Sequence, residues 1–191
     1  MAQIQQEEKL NLNAKKFAMW IFIFTSFMLF AALTSGFIVY SGGRGRGIHI
    51  ILPHAFIYST TCILISSITL FIATRATKAL QFAKQRLYLW LTIGLGLLFL
   101  AIQLYAWEQL INMGVYFVNN NASQSFIYVF TGIHLVHIIA GILVVANALA
   151  GSYSNIPQVR NTFKMEMASI FWHFLDIVWI YLYVFLLLNQ N

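Results

Sequence analysis

Five apolar runs divide the chain: Phe17–Tyr40, Ile50–Thr74, Leu87–Leu110, Ser125–Leu149 and Ala168–Leu188. Each is near or above the ~20 residues that carry an α-helix through the hydrocarbon of a bilayer. In that medium every backbone N–H and C=O must be bonded inside the segment, and a helix does this without a neighbour. The sequence therefore predicts an all-α polytopic membrane protein. It is one transmembrane domain over residues 1–191, a bundle of five spanning helices with no soluble domain. Composition agrees: 8% of the residues are charged and 60% hydrophobic, whereas about a quarter are charged in a soluble domain. The first run has 24 residues, longer than the ~7–15 of a signal-peptide core, and reads as a retained helix.

The connections carry the orientation signal. Lys9, Lys15 and Lys16 precede the first run; Arg75, Lys78, Lys84 and Arg86 lie between the second and third; Arg160 and Lys164 lie between the fourth and fifth. These alternate compartments hold nine of the eleven basic residues, leaving Arg44 and Arg46 for the other side. The positive-inside rule then puts the N-terminus in the cytoplasm and the C-terminus outside. The net charge of +6 is this signal and not a nucleic-acid-binding patch. Arg75, Lys78 and Arg86 are candidate contacts for lipid headgroups. Asn121-Ala122-Ser123 matches a glycosylation sequon, a tripeptide common by chance. The single cysteine, Cys62, excludes a disulfide framework and a multi-cysteine metal or iron–sulfur site, and reads as a small buried hydrophobe.

Four ionisable residues fall deep inside the spans. His134 and His137 are three apart in the fourth run, as are His173 and Asp176 in the fifth, so each pair shares a helix face. An ionised acid there costs at least ~2.5–3.5 kcal/mol even on the lenient insertion scale, so such a face must look into protein. The short fourth connection makes the last two helices antiparallel neighbours, and the two polar faces are expected to meet at matched depth. Three readings compete: haem or metal ligation, a proton or ion path, and a hydrogen-bonded network that locks the fourth helix to the fifth. Bulky neighbours (Leu135, Trp172, Phe174) disfavour haem, and the structural network is the preferred reading. Gly132 and Gly141 would allow close helix approach there. Glu108 and His54 read as interfacial. No catalytic, cofactor-binding or metal-binding set is recognised, and no phosphate loop or nucleophile elbow is present.

These residues resemble a known family, subunit III of the haem–copper terminal oxidases. Trp172-His173-Phe174-Leu175-Asp176-Ile177-Val178-Trp179-Ile180-Tyr181-Leu182-Tyr183 is similar to the family's closing helix. Thr131-Gly132-x-His134-x-x-His137-x-x-x-Gly141 is similar to its other signature. Gly94-x-Gly96-x-x-Phe99-x-x-x-Gln103 and Pro53 with Ser66-Ser67 are weaker matches, and Trp20 to Ala31 resembles the third helix of the seven-helix form. The chain thus resembles the five-helix version that lacks the first two helices. It departs where the family often has buried glutamates: Ser26 and Ala106 stand there, and Glu108 is roughly 200° further round the helix than Ala106.

The resemblance implies an accessory, non-catalytic subunit of a bacterial inner (plasma) membrane oxidase. It would bind no haem or copper, since those belong to subunits I and II. It would pack on subunit I, hold phospholipid, and support assembly and sustained proton-coupled oxygen reduction with cytochrome c as donor. A quinol donor, membership of a larger respiratory supercomplex, and a small proton or ion transporter using the His/Asp cluster are the alternatives. No nucleic-acid partner is expected.

Overall fold

A computed structural model describes residues 2–42, 48, 50–118, 122–154 and 157–190, with side chains from residue 12 onward. Arg44, Arg46, Asn121 and the side chain of Lys9 lie outside the described residues. Five helices follow one another: α1 (Ala2–Ser41), α2 (Ala55–Lys78), α3 (Phe82–Asn112), α4 (Ala122–Tyr153) and α5 (Gln158–Leu188). All five are long and apolar enough to cross a membrane, α1 from Leu12 onward. Among the described residues there is no strand.

The helices and the apolar runs differ in instructive ways. α2 begins at Ala55 and not at Ile50, because Pro53 biases the residue before it away from helical backbone. The apolar stretch ahead of it is instead packed as a plug, with Ile48 and Leu52 buried. α3 and α5 start well before their apolar runs, since polar side chains are compatible with helix at a bundle end. The turn between α2 and α3 is accordingly short. Gln81 N–H donates to Ala76 O and Leu80 N–H to Thr77 O, a Schellman pattern that puts Leu80 at φ 59° where glycine is the usual residue.

Helices α2 to α5 form a four-membered ring: α2 packs on α3 and α5, and α4 packs on α3 and α5. α1 lies outside the ring and touches α4 and α5. Both ends are tied by polar contacts. At the end rich in Lys and Arg, Arg86 donates to Ser152 O from Nε (3.2 Å) and Nη2 (2.5 Å), and Gln158 Nε2 donates to Thr77 O (3.1 Å). At the opposite end, Ile48 N–H donates to Asn189 O (3.4 Å) and Tyr128 Oη to Val115 O (2.7 Å).

Two glycines admit close packing between helices, Gly141, which the sequence picks out, and Gly96, which it does not. A Cβ on Gly141 would lie 2.8 Å from Leu175 Cδ1 and 3.2 Å from Trp172 Cε3. A Cβ on Gly96 of α3 would lie 2.8 Å from Trp172 Cη2. Gly132 is corrected as a close-approach point: its Cβ would meet Trp107 at an ordinary 3.7 Å. Trp172 therefore fills a slot between α3 and α4 whose walls are glycine backbone.

Candidate functional site

The structure divides the four intramembrane ionisable residues between separate places. His173 and Asp176 come together, with His173 Nδ1 3.6 Å from Asp176 Oδ2. Their third member is Ser67 of α2, whose Oγ is 2.7 Å from His173 Nδ1. His173 is at the middle of α5, so this group sits midway along a spanning helix.

His134 and His137 do not join it, which corrects the expectation that the polar faces of α4 and α5 meet. The reason is rotational. α5 turns the His173 side towards α2, and it meets α4 with Trp172, Leu175 and Trp179. His137 lies against α1, its Nε2 3.3 Å from Ser26 Oγ and its Nδ1 2.8 Å from Ile133 O. Ser26, the residue at the family's acidic position, thus serves as a small polar partner to an imidazole. Ala106 is fully buried and Glu108 is exposed, as their separation round the helix requires.

His134 is fully buried and neither ring nitrogen has a hydrogen-bond partner. Its ring centroid is 5.0 Å from that of Trp179, 5.9 Å from Phe99 and 6.3 Å from Phe30. Gln103 of α3 is likewise fully buried with its amide unbonded. The geometry gives a haem held between two histidines no support. Two imidazoles facing across an open slab are needed, whereas His134 is boxed by aromatic rings and His173 belongs to another face of α5. Among the described residues no three His, Cys, Asp or Glu side chains converge as a metal site.

The α2–α5 interface is a polar seam that the sequence reading did not assemble. Trp179 Nε1 donates to Thr60 Oγ1 (3.0 Å) and Trp172 Nε1 donates to Ser66 Oγ (3.0 Å). Each hydroxyl in turn donates to its own helix, to Phe56 O and Ile63 O. A helix-bonded hydroxyl keeps lone pairs free, so it can accept an indole N–H without stranding its proton. Trp107 and Thr131 repeat the device between α3 and α4 (3.0 Å). The signal in the sequence was there in retrospect: hydroxyls at 60 and 66–67 match indoles and imidazole at 179 and 172–173 when the helices run antiparallel.

Asp176, almost fully buried, has neither oxygen bonded to a donor; His173 Nδ1 lies 3.6 Å from its Oδ2. A leucine there would take from His173 Nδ1 its second polar neighbour and leave only the 2.7 Å contact with Ser67, a loss within the ~1–3 kcal/mol of an unpaired polar group. Asp176→Leu should therefore destabilise the bundle by about that amount. Asp176→Asn, whose amide can still bond, should stay within about 1 kcal/mol of wild type. Thermal unfolding followed by helix ellipticity checks this, and a leucine variant as stable as the parent would contradict it.

Of the candidate lipid-contacting cations, Arg75 and Lys78 are exposed, with the Arg75 guanidinium 4.4 Å over the Phe71 ring. Arg86 is occupied differently: besides bonding Ser152 O it stacks 4.2 Å from the Tyr153 ring centroid. It thereby closes the C-terminal end of α4, where free carbonyls attract a cation.

Five helices, each long and apolar enough to cross a bilayer, define a multi-pass membrane protein. The chain belongs to the cytochrome c oxidase subunit III family, whose model matches residues 8–189. It is similar to cytochrome c oxidase subunit 3 of Bacillus sp. (strain PS3), with 27% identity covering 86% of this chain and 80% of that protein. It is similar to the same subunit of Bacillus subtilis (strain 168), with 26% identity covering 92% and 87%. A third relative is cytochrome bo(3) ubiquinol oxidase subunit 3 of Pseudomonas aeruginosa, with 31% identity covering 86% and 79%. The family is that of the haem–copper terminal oxidases of respiratory chains.

Proposed function

We propose that this chain is the accessory third subunit of a haem–copper oxidase in a bacterial plasma membrane, packing on subunit I alongside subunit II and performing no redox chemistry itself. The observation that carries this reading is the family match over nearly the whole chain. The geometry supports it, because the indole N–H groups of Trp107, Trp172 and Trp179 are each bonded to a hydroxyl of a neighbouring helix, as suits a tightly packed accessory chain. Haem and copper then belong to the partner subunits. Cytochrome c is the preferred electron donor. The relative from Pseudomonas aeruginosa keeps the quinol alternative in view.

Affinity purification in mild detergent tests the reading. A visible haem spectrum and oxygen consumption with reduced cytochrome c should accompany the wild-type chain. Consumption with quinol alone would move the donor assignment. A colourless, self-sufficient homo-oligomer that conducts protons in vesicles would replace the reading with the transporter.

The basic end of the bundle faces the cytoplasm in this proposal. Arg75 and Lys78 would then lie at the headgroups of the anionic inner leaflet, each contributing about 1 kcal/mol to lipid attraction. In a Cys62→Ser background, Leu80→Cys should be labelled by an impermeant maleimide only after the cells are opened, and Met113→Cys in intact cells. The reverse pattern would invert the topology.

A further inference from the structure

Two fully buried polar side chains have no partner among the described residues. Gln103 of α3 and His134 of α4 expose no surface, and neither the amide of one nor the ring nitrogens of the other are hydrogen-bonded. Gln85, buried as completely, shows the usual outcome: its amide pairs with that of Asn161 in both directions, at 3.3 and 3.4 Å. Leaving such groups unpaired in the interior costs the full desolvation of each.

The two lie together. On α3, Gln103 is one turn from Phe99 and one turn from Trp107. On α4, His134 is one turn from Thr131. Both flanking pairs meet across the α3–α4 interface: the Phe99 and His134 ring centroids are 5.9 Å apart, and Trp107 Nε1 donates to Thr131 Oγ1 at 3.0 Å. Gln103 is bracketed by these two contacts, at the level of the imidazole.

Their other neighbours cannot satisfy them. The Trp179 ring, 5.0 Å from His134, has its N–H committed to Thr60 Oγ1, and the Thr131 hydroxyl donates to Ile127 O at 2.7 Å. Phe30 of α1 lies over the imidazole from outside the ring of helices, its centroid 6.3 Å away. Amide and imidazole make no direct bond, so the space between them calls for a small bridging molecule that both donates and accepts.

We propose that Gln103 and His134 hold an internal water molecule between them, inside the ring of α2 to α5 and within the span of the bilayer. Whichever nitrogen carries the proton, a neutral imidazole presents one donor and one acceptor, and a primary amide presents both. Water matches every such arrangement, and buried waters typically make about three bonds to groups of this kind. Gln103 and His134 then act as one unit, joining α3 to α4 one turn from the Trp107–Thr131 bond.

Pulsed hydroxyl-radical footprinting of native membranes tests this, because an ionised bound water oxidises the side chains beside it where bulk water has no access. Trp179 and Phe99 should be labelled in the wild type. Trp172, also fully buried but bonded to Ser66, should be labelled several times less. Gln103→Leu should abolish the difference. Gln103→Leu and His134→Phe should each lower the thermal midpoint by about 2–4 °C, the shift expected for one lost hydrogen bond in a chain of this size. The double variant should fall no further than the worse single one, since it strands no polar group.

Trp179 as weakly labelled as Trp172 in the wild type overturns the water. Coupled losses without labelling overturn it too, in favour of a direct amide–imidazole bond. Additive losses in the double variant overturn the shared site. Where a variant fails to accumulate in the membrane, the wild-type labelling decides alone.

Discussion

Trp172→Ala should be the most damaging single substitution in this chain, at about 3–5 kcal/mol. Trp172 is fully buried and belongs to α5, yet it touches every other helix of the ring. Its Nε1 reaches Ser66 of α2, its Cη2 edge faces Gly96 of α3, and its Cε3–Cζ3 edge faces Gly141 of α4. Truncation opens a cavity at the junction of four helices, and helices held by many contacts cannot collapse to fill it. Trp172→Phe should cost distinctly less. It empties only part of the slot, and the Ser66 hydroxyl keeps its 2.6 Å bond to Ile63 O. Thermal unfolding by helix ellipticity reads the difference; equal losses for the two variants would mean that the lost indole N–H, and not the volume, dominates.

The second large effect comes from narrowing the same slot. Gly96→Ala should destabilise by about 1–3 kcal/mol, the range for overpacking a filled core. The new methyl would meet Trp172 Cη2 at 2.8 Å and Ile142 at 3.2 Å, and the indole cannot retreat because Gly141 and Ser66 hold its far side. Gly141→Ala should be milder, since its closest contact is Leu175 Cδ1, the movable end of a side chain. Gly132→Ala should be neutral or stabilising by up to about 1 kcal/mol, because its methyl meets only ordinary contact and alanine favours helix. If Gly132→Ala proves the worst of the three, the slot is not where the helices are closest.

The comparison of Gly132 with Gly96 locates what could be read from the sequence. Helix number and order followed from apolar length alone, because a membrane leaves the backbone few options. The pairing of His173 with Asp176 followed from spacing within one helix. Whether that pair met His134 or Ser67 did not, because it depends on how α5 is rotated about its own axis. The bulk of Trp172 and Trp179 sets that rotation, and an apolar helix offers many aromatic residues among which to choose. The same uncertainty hid Ser26 as the partner of His137 and Gly96 as the tight contact. The extra turns of α3 and α5 were missed for a simpler reason: hydropathy marks where hydrocarbon ends, not where helical backbone does.

The placement of α1 has a bearing on how the chain is made. Among the described residues α1 touches only α4 and α5, so it must wait in the bilayer without these partners until both have been made. Meanwhile α2 and α3, joined by a tight turn, can pair as soon as they are both inserted, since closing a short loop carries a small entropic penalty. The residues after α5 bond the segment between α1 and α2, Asn189 O accepting from Ile48 N–H and Gln190 Oε1 from Leu52 N–H. A chain stopped after α3 would therefore leave α1 with neither of its partner helices.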